Sequence, residues 1–275
     1  MDWLQSILYG LFSGISEYLP ISSQAHQKIF LYLFGIPHND PVRDLIVHLT
    51  ALVALYTGMR SLFDQISRDQ RMARQRRKQH LPLRTVLDVQ VVRNAAIPML
   101  VGMFIVSFLI KRDMELPIVC LLLLVNGSVL FITSRSIKGN KDAGSMSVFD
   151  SWMMGICGAL SCFPGISRIG MTNCVAVLRG ADKDRALIWT LLLSVPALVC
   201  WIVLDIIAIF SGVGVVSFWA NIGYYLLSAC GAYIGASLGL YLIRLFTSRS
   251  KYCIPFAYYS WGAALFSFLI YLTVS

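Results

Sequence analysis

Six apolar stretches of membrane-spanning length constrain this chain more than any other feature: roughly 45–63, 92–110, 117–134, 186–210, 222–244 and 254–273. A bilayer's hydrocarbon core takes about 20 helical residues. Inside it every backbone N–H and C=O must be bonded internally, which leaves helices or a closed barrel. The stretches are not the short alternating segments of a barrel. Composition agrees, with 57% hydrophobic residues, 13% charged and a mean hydropathy of +0.70; a soluble domain carries about a quarter charged. The expected fold class is an all-α polytopic membrane protein.

Two further regions, 3–36 and 150–180, are apolar but broken at the centre by proline, serine and charge. The first reads Gly14-Ile15-Ser16-Glu17-Tyr18-Leu19-Pro20-Ile21-Ser22-Ser23-Gln24-Ala25-His26. The second reads Gly158-Ala159-Leu160-Ser161-Cys162-Phe163-Pro164-Gly165-Ile166-Ser167-Arg168. In both a bulky apolar residue precedes proline, and serine follows proline by three. Each half of such a region is too short to span. Gly/Pro-interrupted segments at matching places in two halves point to re-entrant helix pairs lining a cavity.

Charge sets the expected sides. The net charge of +9 is local rather than spread, so nucleic acid is not an expected partner. The segment 64–93 carries Arg68, Arg71, Arg74, Arg76, Arg77, Lys78, Arg84 and Arg93 and reads as a cytoplasmic loop. Loops 135–149 (Arg135, Lys138, Lys141) and 245–253 (Arg249, Lys251) then also fall inside, and the uncharged loop 211–221 outside. Lys111-Arg112, beside Asp113 and Glu115, is the exception. This count makes 3–36 dip in from outside and 150–180 from inside. The expectation is one membrane domain built as an inverted repeat, 1–135 and 136–275. Each half holds a re-entrant pair and three spans, and both termini are extracytoplasmic. The N-terminus lacks a basic n-region, so no cleaved signal peptide is expected. The seven cysteines have no metal-ligand spacing and read as small buried hydrophobes.

Ionisable groups at membrane depth are functional candidates by default. Proline should end the first helix of each pair. Ser22 or Ser23, and Ser167, should cap the second, leaving N–H groups as an anion site. Arg168 adds a guanidinium suited to phosphate oxygens. Glu17, His26 and the serine hydroxyls add what phosphoryl chemistry needs: charge neutralisation, a proton carrier, and a nucleophile or positioned water. Structural readings stand beside these. The serines could be plain caps, His26 a satisfied structural histidine, and Glu17 with Arg168 a clamp between the halves. His48 and Asp205 sit inside spans, lining the cavity or bonded locally. Asn94 and Asn126 are weak signals. Arg179, Asp182, Lys183, Asp184 and Arg185 read as a solvated loop. Trp3, Trp152, Trp219, Tyr252, Tyr258 and Tyr259 read as interfacial anchors. Gly231, Gly235 and Gly239 have the spacing of close helix packing.

Residues 16–26 (Ser-Glu-Tyr-Leu-Pro-Ile-Ser-Ser-Gln-Ala-His) and 163–172 (Phe-Pro-Gly-Ile-Ser-Arg-Ile-Gly-Met-Thr) resemble the two signature motifs of the bacitracin-resistance family of undecaprenyl-diphosphate phosphatases. Ile-Pro-Phe-Ala-Tyr-Tyr at 254–259 also matches, so the resemblance covers nearly the whole chain. It implies a multi-pass enzyme of the bacterial inner membrane, with six spans and two re-entrant pairs. That enzyme removes the terminal phosphate of undecaprenyl diphosphate, so that the carrier is reused in cell-wall synthesis. It implies a divalent cation, Mg or Ca, with Glu17 as its ligand. By resemblance, Glu17, Ser22, Ser23 and His26 match the first functional motif, and Ser167, Arg168 and Thr172 the second. The implied catalytic set is Glu17, His26, Ser23 and Arg168; the implied phosphate-binding set is Ser22, Ser23, Ser167, Arg168 and Thr172. A serine, Ser23 ahead of Ser22, or a water attacks, and His26 is proton donor or nucleophile. Expected partners are polyprenyl diphosphate or phosphate, membrane lipids and a second copy of the chain.

The sequence departs from the family pattern. Ser13 stands where the first motif begins with Glu or Gln, Gln24-Ala25 where Thr-Gly is usual, His48 where Gln is usual, and Ile169 where a second Ser is usual. The pattern suits a re-tuned phosphatase, and also a flippase or binding protein that holds polyprenyl phosphate without hydrolysis. The presence of Glu17, His26 and Arg168 together favours the enzyme.

Overall fold

The computed structural model describes residues 1–37, 40–79, 87–109, 114–136, 139–212, 218–247 and 253–274. Among them lie eleven α-helices and no strand: α1 (Trp3–Tyr18), α2 (Ser23–Leu33), α3 (Pro41–Gly58), α4 (Arg60–Lys78), α5 (Leu87–Leu109), α6 (Leu116–Ser134), α7 (Val148–Ala159), α8 (Arg168–Leu178), α9 (Lys183–Phe210), α10 (Phe218–Thr247) and α11 (Cys253–Val274). Helices α5, α6, α9, α10 and α11 are long and apolar enough to cross a bilayer, and α3 with α4 makes a sixth candidate, bent by 71°. The chain is an all-α polytopic membrane protein. Of the charged and anchoring residues considered above, Arg84, Lys111, Arg112, Asp113, Lys138, Arg249, Lys251 and Tyr252 lie outside the described residues.

Polar caps set the helix starts. Asp2 accepts from Gln5 N–H at the head of α1, and Gln5 bonds back to Asp2 N–H. Ser147 and Asp150 form the same reciprocal pair at α7. Asp40 caps α3, where Pro41 occupies the first turn.

Three expectations are corrected. The stretch 45–63 is not one straight span: α3 stops at Gly58 and the chain turns into α4. Residues 64–78 of the expected loop 64–93 belong to that helix; Leu62 and Phe63 pack on the core while Arg60, Arg68, Arg71, Arg74 and Lys78 are exposed. The cluster Arg179–Arg185 is not a plain solvated loop either. Arg179 pairs with buried Asp150 at 2.5 Å, Asp182 caps α9, and Arg185 pairs with Asp88 at 2.7 Å.

Helix α1 packs along α10 through a glycine seam. A Cβ on Gly231, Gly235 or Gly239 would come within 2.3, 2.2 or 2.6 Å of the carbonyl oxygens of Ile7, Leu11 and Ile15. Gly10 and Gly14 meet Ser228 and Ala232 as closely from the other side. Backbones this near leave room for no side chain, and shape rather than hydrophobicity drives such contacts in lipid. Helix α7 packs on α5 in the same manner, Gly155 lying on the Ala95 carbonyl. Two more relations match: α10 packs on α3 as α5 packs on α9, and α6 pairs with α11. Exchanging the two halves of the chain carries each of these contacts onto another or onto itself.

Candidate active site

Both interrupted regions resolve into a short helix, a break and a second short helix. Leu19, before Pro20, takes extended backbone (φ −98°, ψ 152°), as the proline ring demands, and α1 ends. Ser22 then sits at φ 69°, the one non-glycine residue with positive φ among those described. Such a conformation costs an L side chain on the order of 1–3 kcal/mol and persists where the surroundings enforce it. In the second break α7 runs into a 3-10 turn at Leu160–Cys162, followed by Pro164 and by Gly165 at φ 118°. Glycine is required there twice over: the backbone is left-handed, and a Cβ would lie 2.5 Å from Leu122 Cβ. Ser167 caps α8, accepting from Gly170 N–H at 3.1 Å.

The two breaks touch each other. Gly165 N–H donates to Ser22 Oγ at 3.0 Å, and Ser167 Oγ donates to the Leu19 carbonyl at 3.4 Å. Asn126, on α6, staples both. Its Oδ1 accepts from Ser167 N–H at 3.0 Å, and its Nδ2 donates to the Pro20 carbonyl at 3.0 Å and to Ser260 Oγ at 3.2 Å.

At this junction Glu17, in the last turn of α1, meets Arg168, the first residue of α8. Arg168 Nη2 lies 2.9 Å from Glu17 Oε1, with side chains 7% and 5% exposed. Ser23 Oγ donates to the other carboxylate oxygen at 2.6 Å. The charges are in contact, yet neither Nη2 nor Nε of Arg168 has a hydrogen-bond partner. Unmet guanidinium donors beside the N-termini of α2 and α8 are groups chemically suited to an anion. A polar cavity of about 20 Å³ lies here, walled by Ser16, Glu17, Ser22, Ser23, Gln24, His48, Ser161, Ile166, Ser167, Arg168 and Trp201. That is room for about one water. Ser161, whose buried hydroxyl is also unpartnered, was not singled out from the sequence.

His26 and Thr172 do not join this cavity. His26 contacts the Ser22 carbonyl through Nδ1 at 2.8 Å and the Tyr259 hydroxyl through Nε2 at 2.8 Å, its ring stacked on Tyr259 at 5.5 Å. A carbonyl can only accept, so Nδ1 carries the proton and Nε2 accepts from Tyr259. Both residues line a separate apolar groove of about 510 Å³, with Leu8, Phe12, Ile29, Phe30, Leu33, Phe34 and Phe266. Tyr259 is thus a partner of His26 as well as a half-exposed aromatic. Thr172 donates to the Arg168 carbonyl at 2.8 Å, and its methyl packs where a Cβ on Gly158 would stand. It holds α8 against α7 and faces neither space.

The departures from the motif are distributed unevenly. Gln24 and His48 line the cavity; Ala25 and Ile169 are buried in apolar clusters. Ser13 is buried one turn before Glu17 with an unpartnered hydroxyl and does not line the cavity. His48 and Asp205 bond each other, Nδ1 to Oδ2 at 2.7 Å. For a cation, no group of three or more His, Cys, Asp or Glu stands together among the described residues. Among the described residues, Glu17 is the one carboxylate on the cavity wall. That set fits a cation sharing its coordination with substrate phosphates, as Mg²⁺ does, and not an all-protein cage.

The family model described as bacitracin resistance protein BacA matches residues 6–266. "Undecaprenyl-diphosphatase 4" of Bacillus thuringiensis subsp. konkukian is 26% identical over 267 residues, covering 96% of each chain. "Undecaprenyl-diphosphatase 1" of Shouchella clausii is 28% identical over 273 residues, 98% of this chain and 96% of its own. "Undecaprenyl-diphosphatase" of Syntrophotalea carbinolica is 26% identical over 262 residues, 95% of this chain and 96% of its own.

Proposed function

The chain belongs to the bacitracin resistance protein BacA family, and from that premise we propose that it is an undecaprenyl-diphosphatase, releasing the terminal phosphate of a polyprenyl diphosphate within the membrane. The observation that carries the reading is the buried Glu17–Arg168 contact, made between opposite halves of the chain, with unmet guanidinium donors in a serine-walled cavity. Helix α2 joins the two chemistries the substrate needs: its N-terminus faces the cavity and its later turns line the apolar groove. The phosphates take the cavity end, and the groove takes isoprenoid.

An incoming diphosphate parts Glu17 from Arg168, because the cavity holds about one water. Arg168 then donates its free N–H groups to the terminal phosphate, assisted by the N-termini of α2 and α8. Glu17 would hold a Mg²⁺ or Ca²⁺ together with the phosphates, and that ion would neutralise their charge. Ser23 Oγ, already turned onto Glu17, or a water attacks phosphorus. In its imidazolium form, with Nε2 protonated in place of the bond it accepts from Tyr259, His26 at the groove wall supplies a proton to the departing lipid phosphate.

The halves 1–135 and 136–275 form an inverted repeat, supported by the contacts that exchange when the halves are swapped. The host membrane is a bacterial inner membrane, with both termini extracytoplasmic. A homodimer is compatible with this arrangement. The testing experiment is phosphate release from polyprenyl diphosphate by purified protein, with and without divalent cation, beside Glu17→Ala. Release that exceeds the variant and falls on chelation supports the proposal. Bound lipid phosphate with no release above the variant refutes it, in favour of a carrier.

A further inference from the structure

We propose that His48, oriented by Asp205, is the proton acceptor for the water that attacks the terminal phosphate; this rests on the phosphatase reading above. His48 comes from α3 and Asp205 from α9, so the pair bridges the two halves of the chain. Both are buried, 6% and 1% exposed, and Nδ1 lies 2.7 Å from Oδ2. Trp201, one turn before Asp205, stacks on the imidazole with centroids 5.8 Å apart and planes 17° from parallel. The ring is therefore fixed in plane by the indole and in rotation by the carboxylate.

A carboxylate accepts, so the neutral imidazole carries its proton on Nδ1 and presents a lone pair at Nε2. His48 lines the same cavity as Arg168 and Ser23, and no described residue bonds Nε2. That cavity holds about one water. Once the diphosphate has parted it from Arg168, Glu17 keeps Ser23 and would face the cation, and Ser13 supplies no acid one turn earlier on α1. Nε2 of His48 is the base left for a water there. A histidine held at Nδ1 by a buried aspartate, with Nε2 facing the reacting atoms, is a recurring proton-transfer device.

The step balances. The water oxygen bonds the terminal phosphorus, and its proton moves to Nε2. The bridging oxygen–phosphorus bond breaks, its electron pair leaving on the lipid monophosphate. Asp205 stabilises the imidazolium, which returns its proton to a phosphate product as that product leaves. The charged groups facing His48 are Glu17 from α1, Asp44 from its own helix, Arg168 from α8 and Asp205 from α9.

The test compares H48Q and D205N with the wild type in phosphate release across pH. For H48Q we expect kcat to fall by about 100-fold or more, with KM little changed. D205N should fall less and displace the acid limb of the kcat profile. Release by H48Q at the wild-type kcat overturns this assignment and leaves the phosphatase reading intact. No release by the wild type overturns both. If the variants do not fold, 15N NMR of histidine-labelled H26Q/H38Q/H80Q protein reads His48 alone. A proton on Nδ1 and a resonance that moves with added inorganic phosphate support the assignment. A proton on Nε2, or no response, overturns it.

Discussion

Replacing Asn126 by alanine should loosen the junction on which the site is built. Asn126 makes three hydrogen bonds from one buried side chain, to Ser167 N–H, the Pro20 carbonyl and Ser260 Oγ. Alanine leaves the hydroxyl free to turn elsewhere but strands two backbone groups where water is scarce. Each stranded group costs about 1–3 kcal/mol, so the loss is about 2–6 kcal/mol. In a chain of this size each kcal/mol lowers the melting midpoint by about 2–4 °C. N126A should then melt at least about 4 °C below the wild type in detergent. Both serine caps lose their shared support, so turnover should fall by about tenfold to a hundredfold, as small displacements of reacting groups do. Melting and phosphate release are read on the same preparation. Wild-type values for both would refute the staple; a lowered midpoint with full turnover would limit it to stability.

Three further outcomes follow from the geometry. R168Q leaves Glu17 buried without its cation, costing about 3–5 kcal/mol, and should abolish retention of polyprenyl phosphate on a lipid-binding assay; unchanged retention would mean the anion seats elsewhere. G235L drives a side chain into the Leu11 carbonyl, 2.2 Å from where its Cβ must stand, and should reduce the yield of monodisperse protein on size exclusion; a wild-type profile would contradict the α1–α10 seam. Y259F removes the hydroxyl that donates to His26 Nε2 and should lower kcat by less than about tenfold with melting preserved; no change would detach Tyr259 from the chemistry.

What the sequence made legible is what local chemistry decides. Long apolar runs announced the spans, and Pro20 and Pro164 announced the breaks because proline ends a helix wherever it falls. Buried Glu17 and Arg168 announced each other because a lone charge at that depth needs a partner. Gly231, Gly235 and Gly239 announced close packing by spacing alone. What was not legible is pairing across distance. Asn126 reads as an ordinary polar residue until α6 brings it between the breaks, and Tyr259 as an anchor until it stacks on His26. Thr172 sits in the motif, but its hydroxyl reaches back to its own helix, a bond that periodicity does not reveal. Helix α4 was hidden by its cations, which obscure a narrow apolar edge.

The most direct test of the central claim is hydrolysis of undecaprenyl diphosphate by the purified chain in water enriched in 18O, with both products analysed by mass. The account predicts one inorganic phosphate for each lipid monophosphate, the heavy oxygen in the inorganic phosphate, and loss of both products in R168Q. Label in the lipid monophosphate, or lipid bound and recovered intact as diphosphate, would contradict it.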